Sequence, residues 1–374
     1  MAGIYIHIPY CKQACHYCDF YFSTSLNSKQ AYLAALAKEM DLRMAYLADE
    51  PIHSVYLGGG TPSLLTEDDL AGIFNELNRH FSIAPDAEVT LEANPDDLSP
   101  QKLNQLRNSP VNRLSIGIQS FEDEDLVYMN RSHTVAMGTE AVQMAREYGF
   151  KNISIDLIYG TPGLSDELWR RNIRKAVALG VQHISCYALT VEPRTALDHF
   201  IRSGSITGPV DEQSSVHFEI LLEEMKKNGF IQYEISNFAR EGFYSRHNSN
   251  YWLNEAYLGL GPSAHSYNGL SRQWNVRNTN QYIRSIEQGK VGFELETLLP
   301  NTIYNEYILT SLRTIWGTDL NRIRMMGENY LRTCEKEVQK YIQSGDVIRK
   351  ESQLFLSDKG KLIADRISSD LFAV

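Results

Sequence analysis

The chain has 374 residues, 43% hydrophobic and 22% charged, which excludes a disordered or fibrous protein and suits two or three domains, or one large α/β barrel with an appendage. Thirty-six Lys+Arg against 46 Asp+Glu give a formal net charge of −10, which argues against a dominant nucleic-acid-binding face. Five cysteines exclude a secreted disulfide framework, and three of them crowd together as Cys11, Cys15 and Cys18, the pattern of a metal site in a reducing compartment.

Residues 1–9 lack the basic n-region and apolar core of a signal peptide, and no stretch approaches the ~20 apolar residues of a spanning helix. The expectation is a cytoplasmic protein that reaches a membrane only peripherally, through a partner. Short apolar runs at 4–8, 54–57, 88–92, 113–117, 152–157 and 183–189 predict strands. Amphipathic stretches at 31–46, 68–80 and 135–148 predict helices between them. Such alternation implies an α/β fold with a parallel sheet, whose functional residues belong at the C-terminal strand ends. Beyond residue 200 the pattern predicts a helix at 216–228 and a strand at 233–238, then an aromatic, turn-rich stretch at 240–280. From 301 it predicts three helices, a hairpin at 346–349 and 354–356, and a helix at 358–370, an order that resembles a winged-helix domain.

The first strand runs directly into Cys11-Lys12-Gln13-Ala14-Cys15-His16-Tyr17-Cys18. Three thiolates on one short loop can hold three corners of an iron–sulfur cluster and leave one iron open. A zinc site is the alternative, but it needs a fourth ligand, for which His16 or His7 would serve. Three buried structural thiols is the plainest alternative. Gly58-Gly59-Gly60-Thr61-Pro62 follows the second strand; its glycines allow backbone N–H groups to approach a ligand, or simply make a tight turn. Glu92 closes the third strand, where a buried acid calls for a ligand or cation. Gln119, Arg131 and Asp156 follow at later strand ends and bring donors and acceptors to one rim.

The C-x3-C-x2-C spacing at the end of a first strand resembles the radical-SAM superfamily. In that superfamily the open iron of a 4Fe-4S cluster is chelated by S-adenosylmethionine, whose reductive cleavage yields a 5′-deoxyadenosyl radical. Tyr5 to Cys11, the GGGTP loop, LEANPD, SIGIQSF and MNR together resemble the branch holding oxygen-independent coproporphyrinogen oxidases and radical-SAM heme chaperones, over nearly the whole chain. The resemblance implies a partial (β/α)6 TIM-like barrel over 1–210, a barrel extension over 211–295 and a smaller α-rich, winged-helix-like domain over 296–374. It implies that Cys11, Cys15 and Cys18 hold the cluster and that Tyr5, Gly59, Gly60, Thr61 and Glu92 contact its S-adenosylmethionine. Tyr17, Gln119, Arg131 and Asp156 match positions lining a second such site in the oxidases.

Two features separate the branches. The oxidases carry a fourth cysteine two residues after the third, where this chain has Phe20, and an N-terminal extension that this chain lacks ahead of its first strand. The heme chaperones carry His-Asn-x-x-Tyr-Trp, matched by His247-Asn248-Ser249-Asn250-Tyr251-Trp252. An imidazole can ligate heme iron, and the two aromatics supply flat faces for a macrocycle. His265 is a second candidate ligand, whereas Cys186 and Cys334 read as small buried hydrophobes. The expectation is a chaperone that binds heme and delivers it to apo heme proteins of the respiratory chain. The oxidase is the second reading, and a non-catalytic redox or zinc module the third.

Overall fold

The computed structural model describes residues 2–48 and 50–373. Its main sheet contains β1 (Ala2–Ile8), β2 (Ile52–Gly59), β3 (Ile83–Ala93), β4 (Arg113–Gln119), β5 (Asn152–Tyr159), β6 (His183–Ala188), β7 (Ile231–Glu234), β8 (Asn237–Ala239), β9 (Tyr257–Leu260), β10 (His265–Tyr267), β11 (Ser271–Asn275) and β12 (Phe293–Thr297). Strands β1 to β6 are parallel and adjacent in sequence order, as the alternation predicts. Helices Lys29–Leu42, Glu67–His80, Pro100–Arg107, Val135–Glu147 and Asp166–Ala178 make the crossovers. This is the partial α/β barrel of the expectation, carrying a helical C-terminal part.

The two faces of these strands differ, because side chains alternate along a strand. Ile4, Ile6, Val55, Leu57, Val89, Leu91, Leu114, Ile116, Ile153, Ile155 and Ile184 point one way into the main apolar core. The alternate positions carry Tyr5, His7, Tyr56, Glu92, Arg113, Ser115, Asp156, His183 and Ser185, which line a cavity inside the curved sheet. A parallel sheet packed under helices on both faces would be apolar at every position. Here the concave face is polar because it encloses a site.

Capping fixes where several helices start. Thr66 and Asp69 form a capping box at Glu67–His80, and Ser99, Thr134 and Ser165 each accept from the third residue of the helix they precede.

The stretch 240–280 is more ordered than its turn-rich sequence suggests. Strand β9 inserts parallel beside β1, and β10 to β12 extend that edge antiparallel. Its apolar run is only four residues long, so its pairing depends on β1 rather than on local pattern. The strand predicted at 233–238 is a hairpin, β7 and β8, turning at Ile235–Ser236 and added antiparallel to β6.

A second core, containing Tyr304, Ile308, Leu312, Ile323, Leu331, Cys334, Val338 and Ile367, lies in the C-terminal part. Helices Pro300–Leu312, Leu320–Met326 and Glu328–Gln343 precede the strands Val347–Lys350 and Gln353–Leu356, which a short strand at Thr318–Asp319 completes as a wing. The helix predicted at 358–370 is broken into Asp358–Lys361 and Ala364–Asp370. Gly360 presses so close to the Asp346 carbonyl that no side chain fits there, which seats the first piece against the wing. Among the described residues no helix is long and apolar enough to cross a membrane.

Candidate cofactor and ligand site

The cysteine loop leaves β1 at its C-terminal end and is tied down from three directions. The Cys11 amide donates to the Ser23 carbonyl (3.0 Å). Gln13 Nε2 donates to the Asn130 carbonyl and side chain, and Asn130 Nδ2 donates back to the Ala14 carbonyl (2.7 Å). Lys12 pairs with Asp96 and Asp97 beyond β3. All three thiols are partly exposed and form no disulfide. Burial raises the Cys11 and Cys18 thiols, Cys18 to about 12, and the neighbouring thiols raise them further. A cationic centre would reverse that balance and release their protons.

Neither histidine weighed as a fourth zinc ligand turns toward the thiols. His7 Nε2 donates to the Tyr21 carbonyl (2.8 Å) while Nδ1 accepts from Tyr5 (3.1 Å). His16 bonds the Tyr128 carbonyl (2.9 Å) and packs edge-on against Phe200. Among the described residues no three His, Cys, Asp or Glu side chains close on one point, as a mononuclear ion needs. Three thiols on one short loop are the donor type that an iron–sulfur cluster takes.

Of the two roles open to the glycine loop, the tight turn is the one its N–H groups make. Gly60 N–H donates to the Ile8 carbonyl (2.9 Å) and Thr61 N–H to the Tyr10 carbonyl (2.7 Å), so these donors anchor the loop and are not free for a ligand. A Cβ on Gly60 would stand 2.6 Å from the Ile8 oxygen and 2.7 Å from the Tyr10 oxygen, and one on Gly59, at φ +97°, would strike the His7 ring. The glycines thus let β2 run tightly against the start of the cysteine loop.

Glu92 accepts from Tyr56 Oη (2.7 Å) and from Gly59 N–H (3.2 Å). Burial lifts its carboxyl to about 7, against the pull of the Tyr56 hydrogen bond. Burial lifts Asp156 to about 6, opposed by Ser185, Arg113 and Arg131. Both acids face the cavity, where a cation would ionise them.

The remaining rim residues form a separate group. Arg131 Nη1 donates to Cys15 Sγ (3.2 Å), and Nη2 to Asn94 Oδ1 (2.8 Å) and the Gly117 carbonyl (3.0 Å). Gln119, left-handed at φ 65°, is buried beside it. Tyr17 packs on Leu126, Met129 and Leu197. These three do not line the main cavity, so the single ring of rim residues expected from sequence divides into a cavity set and a cluster-side set.

The cavity measures about 630 Å³, within the range of small-molecule sites. Helix Arg246–Trp252 closes the end of it nearest the strand N-termini. The Glu88 carboxylate accepts from the Arg246 (2.8 Å) and His247 (3.3 Å) amides and so fastens this helix to β3. His247 turns inward, stacked 5.2 Å from Tyr56 and 6.3 Å from Tyr5, with Nδ1 on Ser54 Oγ (3.0 Å). Its Nε2 has no partner among the described residues. Burial, helped by Arg113, lowers its imidazole to about 4, so it is neutral and able to ligate at pH 7. Tyr251, Trp252, Phe20, Tyr187 and His265 add aromatic faces to the same cavity. His265 is exposed at the opposite end, stacked on Trp274. Cys186 and Cys334 are buried in the two cores.

Sequence reading passed over Tyr56, Ser54, Glu88 and Arg113. The signal was the polar member of each alternating pair on β2, β3 and β4, which acquires meaning only once the sheet curls.

The Radical SAM superfamily model matches residues 5–176. The "Heme chaperone HemW" of Bacillus subtilis is 36% identical over 375 residues, covering 98% of each chain. That of Mycobacterium tuberculosis is 36% identical over 373 residues, covering 98% of this chain and 93% of its own. The chain belongs to the HemW family of radical SAM proteins. Its fold is that of the Escherichia coli coproporphyrinogen III oxidase HemN, with a TM-score of 0.86 over 100% of this chain and 90% of the other at 23% identity. The radical SAM character of the HemW family brings a 4Fe-4S cluster and S-adenosylmethionine as cofactors. The donor set fits both: three thiols on one loop, one of them bonded by Arg131, beside a cavity that holds two acids.

Proposed function

We propose that this protein is a heme chaperone. Cys11, Cys15 and Cys18 hold the cluster, and Tyr5, Gly59, Gly60, Thr61 and Glu92 hold the S-adenosylmethionine bound to its open iron. That cofactor pair, when bound, supplies one-electron chemistry at the cavity edge. Tyr17, Gln119 and Arg131 on the cluster side, with Asp156 on the cavity side, are the residues that would meet a second S-adenosylmethionine. The cargo is heme, passed to apo heme proteins of the respiratory chain in the cytoplasm.

One observation carries this reading: helix Arg246–Trp252 presents a neutral His247 with an unengaged Nε2 into an aromatic-walled cavity. The curated relatives named heme chaperones support it at 36% identity over nearly the full length. Phe20, 64% exposed and lining that cavity, occupies the position of the oxidases' additional cysteine, which weighs against porphyrinogen decarboxylation. The test is a heme titration followed by visible absorption. His247→Ala should weaken binding roughly tenfold or more with the cluster retained; an unchanged titration removes His247 as the ligand.

A further inference from the structure

The barrel cavity contains a cation that neither the cluster nor His247 accounts for. Arg113 opens β4, and its side chain is 2% exposed. A guanidinium carries five N–H donors and no acceptor, yet Arg113 makes no hydrogen bond to any described residue. Its Nε is buried and unpartnered. Its nearest anion is Glu88 Oε2 at 4.0 Å, beyond hydrogen-bond range, and Glu88 already serves the amides of helix Arg246–Trp252. Neither Nη has a hydrogen-bond partner among the described residues, and Arg113 lines the cavity. A buried charge left so bare is destabilising unless a ligand completes it. A planar fork of N–H groups is matched by a carboxylate, which can accept two parallel hydrogen bonds. Ser115 and Ser185 border the same space with short side chains and leave room for one.

We propose that Arg113 is a carboxylate-binding residue inside the barrel, taking a carboxylate of the ligand that enters the cavity. This rests on the heme reading for one source, a porphyrin propionate; the other source is the carboxylate of S-adenosylmethionine. Glu92 and Asp156 share the cavity and repel a carboxylate when ionised; Arg113, whose charge acts on both, lies beside the neutral His247 and His183 as the cation that receives an anion.

The test uses the cluster-loaded protein, with heme, heme dimethyl ester and S-adenosylmethionine titrated separately into wild type, Arg113→Gln and Arg113→Lys. If a propionate is the source, wild type prefers heme to its ester by about ten- to a hundredfold. Arg113→Gln then loses that preference while still binding the ester, and Arg113→Lys keeps part of it. If S-adenosylmethionine is the source, its affinity falls in Arg113→Gln and the heme-to-ester ratio does not move. Unchanged affinities for all three ligands in folded Arg113→Gln overturn the proposal. Equal binding of heme and ester by wild type excludes the propionate without requiring any variant. Failure of wild type to bind either porphyrin refutes the chaperone reading alone, and the S-adenosylmethionine arm still decides Arg113.

Discussion

At the scale of single residues, environment rather than identity sets what each group does. His247 and His265 are both imidazoles on the cavity wall. Burial lowers both, but only His247 is stacked beside Tyr5 and Tyr56 and fixed at Nδ1 by Ser54. Its folded-state value of about 4 lies below the ordinary 6.5, so ligation through it does not compete with a proton until the pH approaches 4. The part of the heme affinity that His247→Ala removes should therefore stay flat from pH 8 to about 5, whatever Glu92 and Asp156 add as they ionise in the same cavity. A fall centred near pH 6.5 would point to an ordinary solvated histidine as the ligand. The cysteines and Glu92 were legible because motif and strand end coincide, and His247, on a helix, was legible from its motif alone. Arg113 was not, since a charged residue opening an apolar strand reads as a solvated strand start until the barrel closes over it.

At the scale of elements, the cysteine loop and the glycine loop work as one unit. Gly60 and Thr61 donate to carbonyls on either side of Pro9, immediately before Cys11, so β2 positions the thiols by holding the end of β1. Gly60→Ala places a methyl against two carbonyl oxygens and should destabilise the chain by about 1–3 kcal/mol. It should also lower the iron retained after anaerobic reconstitution, measured beside Cys15→Ser as the cluster-free control. Full iron content in Gly60→Ala would show that the loop positions itself independently. The six parallel strands were legible from their apolar runs. Strand β9 was not, because four residues in a turn-rich stretch carry no period of their own and take their place from β1. The glycine triplet was legible as a special loop with two roles open, and the tight turn is the one its Gly60 and Thr61 N–H groups make.

At the scale of the whole molecule, a polar cavity enclosed by an apolar barrel is a source of instability until it is filled. Glu92 and Asp156 both have folded values above their unfolded ones, about 7 and about 6. The stability contributed by their protonated forms is complete below pH ~4 and is lost as pH rises through 6 to 7. Protein without ligands should melt lower at pH 8 than at pH 5, and Glu92→Gln should reduce that difference by an amount equivalent to about 1–3 kcal/mol. Melting curves with identical pH dependence for both proteins would contradict this. A cationic ligand that keeps the acids ionised offsets the same loss, which couples cofactor binding to the stability of the barrel. The fold itself serves both a porphyrin-oxidising and a heme-carrying reading, as the HemN likeness shows, so the distinction lies in the contents of the cavity. The most direct test is a paired assay on one reconstituted, reduced sample containing S-adenosylmethionine: heme titration in one portion, conversion of coproporphyrinogen III in the other. The account predicts saturable heme binding and no conversion; sustained conversion, or no heme binding, would contradict it.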